Sequence, residues 1–273
     1  MCAAPPPDVL NAFGIAEPPL LLAGGAGTTY QAGTIVLKPV ANSVEAVWFG
    51  DLFNSIEEVG FRVARPIPSI YGTWSVNGWI ASHFVLGKEI KGRWDEKVTV
   101  SRAFHQALSV YAQPPHIATA QHPWAIADRF AWGEQAVSYH QRLAPALKEL
   151  LAFLQPISLS SQLVHGDMTG NILFYDPLAP AVIDMAAYWR PAEFATAIIV
   201  VDSIVWEGAD DGLIERVRDT DQMYQLLLRA AIRRIMELDG IHKQFGANCL
   251  DQVNAYSHLI ALLCTQSRTR GTR

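Results

Sequence analysis

The amino-terminal third of the chain follows the apolar pattern of β-strands. The run 34–40 is rich in β-branched residues, and the runs 61–70 and 72–87 are either alternating or continuously apolar. The last of these runs contains Asn77-Gly78, a dipeptide that favours a tight hairpin turn. The pattern therefore predicts several strands, with a hairpin centred on Asn77-Gly78.

Helical spacing occurs in the run 41–59 and becomes the rule after Gly87, where apolar residues recur at three- and four-residue intervals. The later runs that we expect to be helical are 129–143, 145–154, 194–206, 221–238 and 250–263. The sequence thus predicts an α+β protein in which a strand-rich amino-terminal lobe, 1–87, is followed by a helical carboxy-terminal lobe, 88–273, with the join at 83–88.

A strand-like segment interrupts the helical lobe. The runs 171–176 and 181–184 are short and apolar, and the Pro-containing turn between them predicts a hairpin. Asp167 and Asn171 stand in the loop before this hairpin, and Asp184 stands at its end. Carboxylate and amide oxygens gathered at one edge are suited to Mg²⁺, which prefers oxygen ligands. Taken singly, each of these residues is equally typical of a turn or a helix cap.

Composition and charge narrow the functional classes. The chain of 273 residues is 50% apolar and carries a formal net charge of −5, which fits a globular protein with a sizeable core. Because it has no basic stripe, we do not expect it to bind nucleic acid. The run 194–206 is interrupted by Asp202 and is too short for a membrane span, so a buried core helix is expected. Three dispersed cysteines predict a reducing, cytoplasmic location without disulfides.

The segment HGDMTGNILF, followed by VIDMAAYWRPAEFATAI, resembles the aminoglycoside phosphotransferase and choline kinase branch of the protein-kinase-like fold. Within that branch it looks like a small actinobacterial group of phosphotransferase-like proteins. The resemblance implies a bilobal fold that binds ATP and Mg²⁺. It implies that Asp167 is the catalytic base, that Asn171 and Asp184 bind Mg²⁺, and that His165 braces the loop.

The resemblance also requires a phosphate-covering loop in the first lobe. Gly25, Gly27 and Thr28 form a flexible turn whose N–H groups could approach phosphates, about ten residues before the strand that contains Lys38. Tyr30 stands where the pattern G-x-G-x-x-G has its last glycine. Such a turn is also common in ordinary hairpins, so its position relative to the strand is what favours nucleotide binding.

The resemblance also predicts a lysine after the glycine turn and an acidic residue that pairs with it. Lys38 is the lysine placed at the end of a buried-type strand, and the resemblance assigns it to the nucleotide phosphates. A lysine on an exposed edge strand is the alternative. Glu45, one turn into the following helix, is the first candidate for its ion-pair partner, and Glu57 and Glu58 are the alternatives. Backbone groups of Phe84 and Leu86 are expected to meet the adenine edge.

The acceptor is expected to be a small molecule, because the segment after Asp184 is too short for a peptide-binding platform. We expect Pro191 to begin a helix and the acceptor pocket to form near Asp167 and a turn at 188–190. Trp189 and Trp206 could supply apolar walls of this pocket, and the alternative, which is commoner for large aromatic residues, is that both lie in the core. The acidic residues that favour a cationic acceptor are Glu207, Asp210 and Asp211. Their alternative role is a solvated helix end.

Two other functions remain compatible with the sequence. A catalytically idle kinase-like protein that binds a nucleotide or a partner would explain the incomplete glycine pattern. A metal-dependent hydrolase is disfavoured because no H-E-x-x-H motif accompanies the acidic residues. The presence together of Lys38, Asp167, Asn171 and Asp184 favours the phosphotransferase. Neither the identity of the acceptor nor the oligomeric state follows from the sequence.

Overall fold

The computed structural model describes residues 4–23, 27–40 and 43–270. Its chain forms two compact units: unit 1 comprises Met1–Glu89 with Ile172–Ile183, and unit 2 comprises Ile90–Asn171 with Asp184–Arg273. In chain order the strands are β1 (Leu20–Leu21), β2 (Tyr30–Ala32), β3 (Ile35–Pro39), β4 (Arg62–Val63), β5 (Pro66–Ile67), β6 (Ser75–Val76), β7 (Trp79–His83), β8 (Gln162–His165), β9 (Ile172–Tyr175), β10 (Leu178–Val182) and β11 (Ala187–Arg190). The helices are α1 (Pro7–Ala12), α2 (Ser43–Ser55), α3 (Trp94–Leu108), α4 (Pro115–Thr119), α5 (Pro123–Ala131), α6 (Ala144–Leu151), α7 (Ala192–Trp206), α8 (Gly212–Val217), α9 (Met223–Phe245) and α10 (Ser257–Arg270).

The main sheet of unit 1 is antiparallel, in the order β1-β2-β3-β7-β5, and β6 pairs with β7. The predicted hairpin between β6 and β7 is confirmed. Asn77 and Gly78 have φ angles of 48° and 78°, the left-handed pair that a two-residue hairpin turn requires. Leu37 of β3 and Trp79 of β7 pack with α1 residues such as Val9 into one apolar cluster. Burial of these side chains fixes the register of the sheet.

A second sheet in unit 1 contains the predicted hairpin of 171–184. Strands β9 and β10 pair antiparallel, and β10 pairs in parallel with β4. Arg62 of β4 strengthens this association, because its Nε donates to the Ala179 carbonyl oxygen at 2.6 Å. The hairpin prediction is therefore confirmed, and strands β9 and β10 belong to the same unit as the amino-terminal strands.

Unit 2 is mainly helical. Helix α7 is buried along almost its whole length, which confirms the core helix predicted from its continuous apolar run, and it packs against α3 and α9. Helix α9 also packs against α5. The two strands of unit 2, β8 and β11, form an antiparallel pair. Among the described residues, no helix combines the length and apolar character needed to cross a membrane.

Three local predictions in unit 2 are wrong. The helix expected over 129–143 ends at Ala131, because Gly133 adopts a φ of 71° and turns the chain, and 134–140 is irregular. The turn expected at 188–190 belongs instead to strand β11. Trp206 is 44% exposed rather than a core residue, since it lies at the last position of α7.

Candidate active site

The β8–β11 pair brings two of the predicted site residues to one end of a ladder. His165 is the last residue of β8 and lies opposite Ala187, the first residue of β11. Asp167 follows His165 by two positions, and Asp184 precedes Ala187 by three. Because the strands are antiparallel, both carboxylates belong to segments that leave the same end of the pair.

His165 connects these two segments. Its side chain is fully buried, and Nδ1 accepts hydrogen bonds from the backbone N–H groups of Asp167, at 3.1 Å, and Ala186, at 3.4 Å. Both bonds need an unprotonated Nδ1, so the imidazole is neutral and carries its proton on Nε2. The predicted bracing role of His165 agrees with this geometry.

A second histidine supports the first. The Nδ1–H of His105 donates to the Ser101 carbonyl oxygen at 2.7 Å, and its Nε2 accepts the backbone N–H of His165 at 3.0 Å. Burial lowers the pKa of His105 to about 3, against the weaker opposing effect of the hydrogen bond to Ser101. His105 is therefore neutral at physiological pH, in the tautomer that lets it hold β8 in place.

The side chain of Asp167 is about half exposed, with 47% of its surface accessible. Its Oδ1 accepts a hydrogen bond from Nη2 of Arg234 at 2.7 Å. Burial of the rest of the group raises its pKa, but the charge and hydrogen bond of Arg234 outweigh this and hold the pKa of Asp167 below its ordinary value. Asp167 is consequently ionised at neutral pH and can only accept hydrogen bonds.

Arg234 is the centre of an acidic network on α7 and α9. Besides Asp167 it contacts both oxygens of the buried Asp202, with Nε at 2.9 Å from Oδ1, and its Nη1 donates to Glu237 at 2.9 Å. Thr169 also donates to Asp202, at 2.8 Å, which ties the loop after Asp167 to α7. Burial lowers the pKa of Arg234, yet the surrounding carboxylates raise it well above the ordinary value.

Asn171 is oriented by the loop itself. Its Nδ2 donates to the Asp167 carbonyl oxygen at 2.7 Å and approaches Asp167 Oδ2 at 3.3 Å. These bonds engage the amide nitrogen, which leaves the amide oxygen as the atom suited to a cation. Asp184 is exposed and has a φ of 55°, a left-handed conformation that Asp tolerates better than most residues.

Gly166 is required by close packing beneath the loop. A Cβ at this position would lie 2.5 Å from the Tyr188 ring and 2.6 Å from Nη1 of Arg233. Arg233 is itself stacked on Tyr188, with the guanidinium carbon 4.2 Å from the ring centroid. Both neighbours are buried, so neither can move aside without disturbing the core.

We expect Gly166→Ala to lower the free energy of unfolding by about 1–3 kcal/mol, since overpacking a dense site forces neighbouring groups to shift. Gly170→Ala is the matched control, because a Cβ there would meet nothing within 4 Å, and it should change stability by less than about 0.5 kcal/mol. Urea unfolding of the two variants measures the difference. Equal midpoints for Gly166→Ala and Gly170→Ala would contradict the packing argument.

The residues assigned to the nucleotide lie in unit 1. Gly27 has a φ of 66° and, with Thr28, belongs to the connection between β1 and β2, while Gly25 lies outside the described residues. Lys38 lies in β3, opposite Ile80 of β7. Glu45 is in the first turn of α2.

The alternative partners of Lys38 differ in their surroundings. Glu58 forms an ion pair with Arg65 at 3.1 Å and accepts the Val63 N–H at 3.2 Å. It is therefore committed to the β4–β5 region. Glu57 is exposed and follows α2.

Two backbone groups of the predicted adenine-binding segment are used within unit 1. The N–H of Phe84 donates to the Thr34 carbonyl oxygen at 2.8 Å, and the carbonyl oxygen of Leu86 accepts from Nη2 of Arg62 at 2.9 Å. An adenine contact at these positions would have to use the Phe84 carbonyl and the Leu86 N–H.

The acidic residues after α7 form ion pairs with side chains of unit 2. The side chain of Glu207 is buried, with Oε1 2.6 Å from Nζ of the buried Lys97, and its Oε2 accepts a hydrogen bond from the Trp94 indole N–H. Asp210 pairs with Arg216, and Asp211 with His258. Glu207 thus contributes to the packing of unit 2, whereas the exposed Asp210 and Asp211 fit the solvated helix end given as the alternative.

No protein-family model matches the chain, and no curated protein matches it in sequence. Solved structures do resemble it.

One of these is spectinomycin phosphotransferase in complex with ADP and spectinomycin, which is 15% identical to this chain. The match covers 95% of this chain and 96% of the phosphotransferase, with a TM-score of 0.58. The chain has the protein-kinase-like fold. A thermostable mutant of an aminoglycoside phosphotransferase, in ternary complex with AMP-PNP and hygromycin B, shares that fold at 12% identity, coverage of 95% and 97%, and a TM-score of 0.62. Choline kinase from Streptococcus pneumoniae shares it at 10% identity, coverage of 94% and 97%, and a TM-score of 0.60. The predicted fold and its resemblance to this branch are thus confirmed.

The sequence did not predict the groups that position Asp167, either directly or through a neighbouring side chain. Arg234, Asp202 and His105 are far from the motif in the chain, and no spacing rule connects them to it. Two signals were present: Asp202 interrupts an apolar helix, and Arg233-Arg234 occurs within the apolar periodicity of α9. Charges in buried helices need partners, so these positions marked a buried ionic network.

Proposed function

We propose that the protein is an ATP-dependent phosphotransferase that transfers the γ-phosphoryl group to a hydroxyl of a small molecule. The observation that carries the proposal is the state of Asp167: half exposed, ionised, and positioned by His165, Asn171 and Arg234. A carboxylate fixed in this way can orient a hydroxyl group without rearranging. The resemblance in fold to small-molecule phosphotransferases supports the same chemistry.

Asp167 acts as the catalytic base in this proposal. An ionised carboxylate accepts the hydrogen bond of the attacking hydroxyl and takes its proton as the phosphoryl group is transferred. Its lowered pKa makes it a weak base. This suits phosphoryl transfer, where positioning and charge stabilisation contribute more than proton abstraction.

Asn171 and Asp184 are the residues that fit Mg²⁺. They offer one amide oxygen and one exposed carboxylate, and Mg²⁺ in such enzymes is held by one or two carboxylates together with waters and substrate phosphates. The described residues contain no group of three or more His, Cys, Asp and Glu suited to a metal, so no competing protein-only site is present among them. When bound, Mg²⁺ would neutralise charge that develops on the phosphates.

We assign the nucleotide to residues of unit 1. Gly27 and Thr28 would offer backbone N–H groups to phosphates, Lys38 would pair with them, and Glu45 would orient the lysine. The Phe84 carbonyl and Leu86 N–H would meet the adenine edge, as their positions after β7 allow.

Replacement of Asp184 by Asn is expected to weaken Mg²⁺-dependent ATP binding by about tenfold or more, a loss typical of disturbed metal sites. Asn is chosen because it tolerates the left-handed backbone of this position, so the fold is retained. Calorimetric titration with AMP-PNP, with and without Mg²⁺, measures the effect. The exposed Asp221→Asn serves as the control and should match the unchanged protein. Identical Mg²⁺ dependence in Asp184→Asn and wild type would refute the metal role.

A further inference from the structure

An open cavity of about 470 Å³ lies in unit 2 at the carboxy-terminal end of α9. The residues that line it come from the start of the 3₁₀ helix Gln141–Leu143, from α9 and from the segment after α9: His140, Gln141, Arg142, His242, Asn248 and Leu250. Its volume falls within the range of roughly 300–1,000 Å³ that is usual for small-molecule sites. None of these residues belongs to the site proposed for phosphoryl transfer, so the cavity is a candidate site of its own.

His140 provides a hydrogen-bond donor at this cavity. Its Nδ1 accepts the backbone N–H of Arg142 at 3.1 Å, as the cap of the 3₁₀ helix. That bond needs an unprotonated Nδ1, so the ring carries its proton on Nε2. The Nε2–H has no acceptor among the described residues, and the atom is not buried. The backbone N–H of His140 donates to the buried carboxylate of Asp239 at 2.7 Å, which fixes the position of the residue.

His242 provides the complementary acceptor. Its Nδ1–H donates to the Ala247 carbonyl oxygen at 2.9 Å, since a carbonyl oxygen can only accept. The neutral ring therefore has its lone pair on Nε2. This atom also lacks a hydrogen-bond partner in the described part of the chain and is not buried. The rings of His140 and His242 are neighbours, with centroids 5.8 Å apart, so one small ligand can contact both.

The wall of the cavity disfavours ions. Of the six lining residues, Arg142 is the one with a permanent charge, and its Nη1 already pairs with the Asp251 carboxylate at 2.8 Å. An anion would face that carboxylate and the lone pair of His242. A transition metal would need a lone pair on Nε2 of His140, which the bond from the Arg142 N–H to Nδ1 excludes. A neutral ligand is therefore the best match.

We propose that this cavity binds a neutral polyhydroxylated molecule, a sugar or a cyclic polyol. A hydroxyl group is both donor and acceptor, so a single hydroxyl can accept from Nε2–H of His140 and donate to Nε2 of His242. The exposed amides of Gln141 and Asn248 supply further donors and acceptors for neighbouring hydroxyls. Leu250, which is 4% exposed, adds apolar surface on which the C–H groups of a ring can pack.

Saturation-transfer difference NMR tests the proposal, with D-glucose, D-galactose, D-mannose and myo-inositol as probes in the absence of nucleotide. Each probe is used at about 5 mM, which detects dissociation constants in the millimolar range. We expect saturation of the ring protons of at least one probe. Inorganic phosphate at the same concentration should not displace it. Because no phosphoryl transfer is measured, the result is independent of whether the protein has kinase activity.

Two variants remove the Nε2 atoms and keep the contacts made by Nδ1. In His140→Asn the amide oxygen can still accept the Arg142 N–H, since Asn is a favoured cap, and in His242→Asn the amide N–H can still donate to Ala247. Each should weaken binding of the probe about three- to tenfold, the loss typical of one neutral hydrogen bond. His258→Asn, exposed on α10, is the matched control and should bind as wild type does.

Asp167→Asn separates this cavity from the phosphoryl-transfer site and should leave binding of the probe unchanged. Three results would each overturn the inference: no saturation of any of the four probes, displacement of the probe by phosphate, or wild-type affinity in either His140→Asn or His242→Asn. Binding that is lost in Asp167→Asn would also overturn it, because the probe would then occupy the phosphoryl-transfer site.

Discussion

Asp167→Asn is expected to reduce phosphoryl transfer by about 10²-fold or more while ATP affinity stays within about twofold of wild type. The amide can still fill the space of the carboxylate, but it cannot accept a proton, and general-base catalysis contributes roughly 10²–10⁴-fold. The substitution also removes a charge that faces Arg234 at 2.7 Å, which is partly compensated by the remaining carboxylates of Asp202 and Glu237.

The rate of ADP release measures this effect. The assay contains a hydroxyl acceptor or, when none is known, follows the transfer of the phosphoryl group to water. Asp221→Asn is the control, since Asp221 is exposed and removed from the loop in sequence. Equal turnover by wild type and Asp167→Asn, at equal ATP affinity, would show that Asp167 has no catalytic role. A fall in ATP affinity that parallels the fall in turnover would instead indicate a metal or nucleotide contact.

Arg234→Met is expected to lower the free energy of unfolding by about 3–5 kcal/mol, the cost typical of removing one partner from a buried ion pair. Asp202 would be left in the core of α7 with Thr169 as its remaining donor, and Glu237 would lose one of its two arginine partners. Arg234 is also a source of the lowered pKa of Asp167. Removal should therefore raise the pKa of Asp167 in any variant that remains folded.

Urea denaturation followed by circular dichroism measures the stability change. The matched control is Arg216→Met, because Arg216 also pairs with a carboxylate, Asp210, but both side chains are largely exposed and such pairs contribute about 0–1 kcal/mol. A similar small effect for both variants would contradict the account of the buried network.

The ion pair between Arg234 and Asp167 bears on the catalytically idle alternative. A carboxylate that pairs tightly with an arginine is a weaker base. A strong pair between Arg234 and Asp167 would therefore favour a protein that binds a nucleotide without transferring its phosphate. Only Oδ1 of Asp167 contacts Arg234, however, and the second oxygen faces the Asn171 amide at 3.3 Å. About half of the side-chain surface remains exposed, which leaves room for a hydroxyl acceptor.

Local signals in the sequence identified the strands and the motif but not the supports of the site. The hairpin at Asn77-Gly78 was predictable because its backbone needs two left-handed residues. The end of helix α5 at Ala131 was not predictable, because the apolar periodicity continues past Gly133, where the chain turns. The contacts of Arg234 with Asp202 and Asp167 join residues 32 and 67 positions apart, and sequence spacing carries no information on such pairs.

The orientation of the acidic residues after α7 required the structure for a different reason. A run that contains Glu207, Asp210 and Asp211 has the composition of a cation-attracting surface. Its partners, among them Lys97 and Arg216, are supplied by other parts of unit 2. Whether a carboxylate is available to a ligand depends on such partners.

The most direct test of the proposed function is incubation of the protein with Mg²⁺ and ATP labelled on the γ-phosphate, together with small hydroxyl compounds that include amino alcohols, amino sugars, nucleosides and hydroxy amino acids. Chromatographic separation then shows whether the label moves to one of them. We expect a labelled small-molecule product with wild type and about 10²-fold less with Asp167→Asn. Tight binding of Mg²⁺-ATP without transfer to any compound or to water would contradict the proposal and identify the protein as a nucleotide-binding relative without catalytic activity.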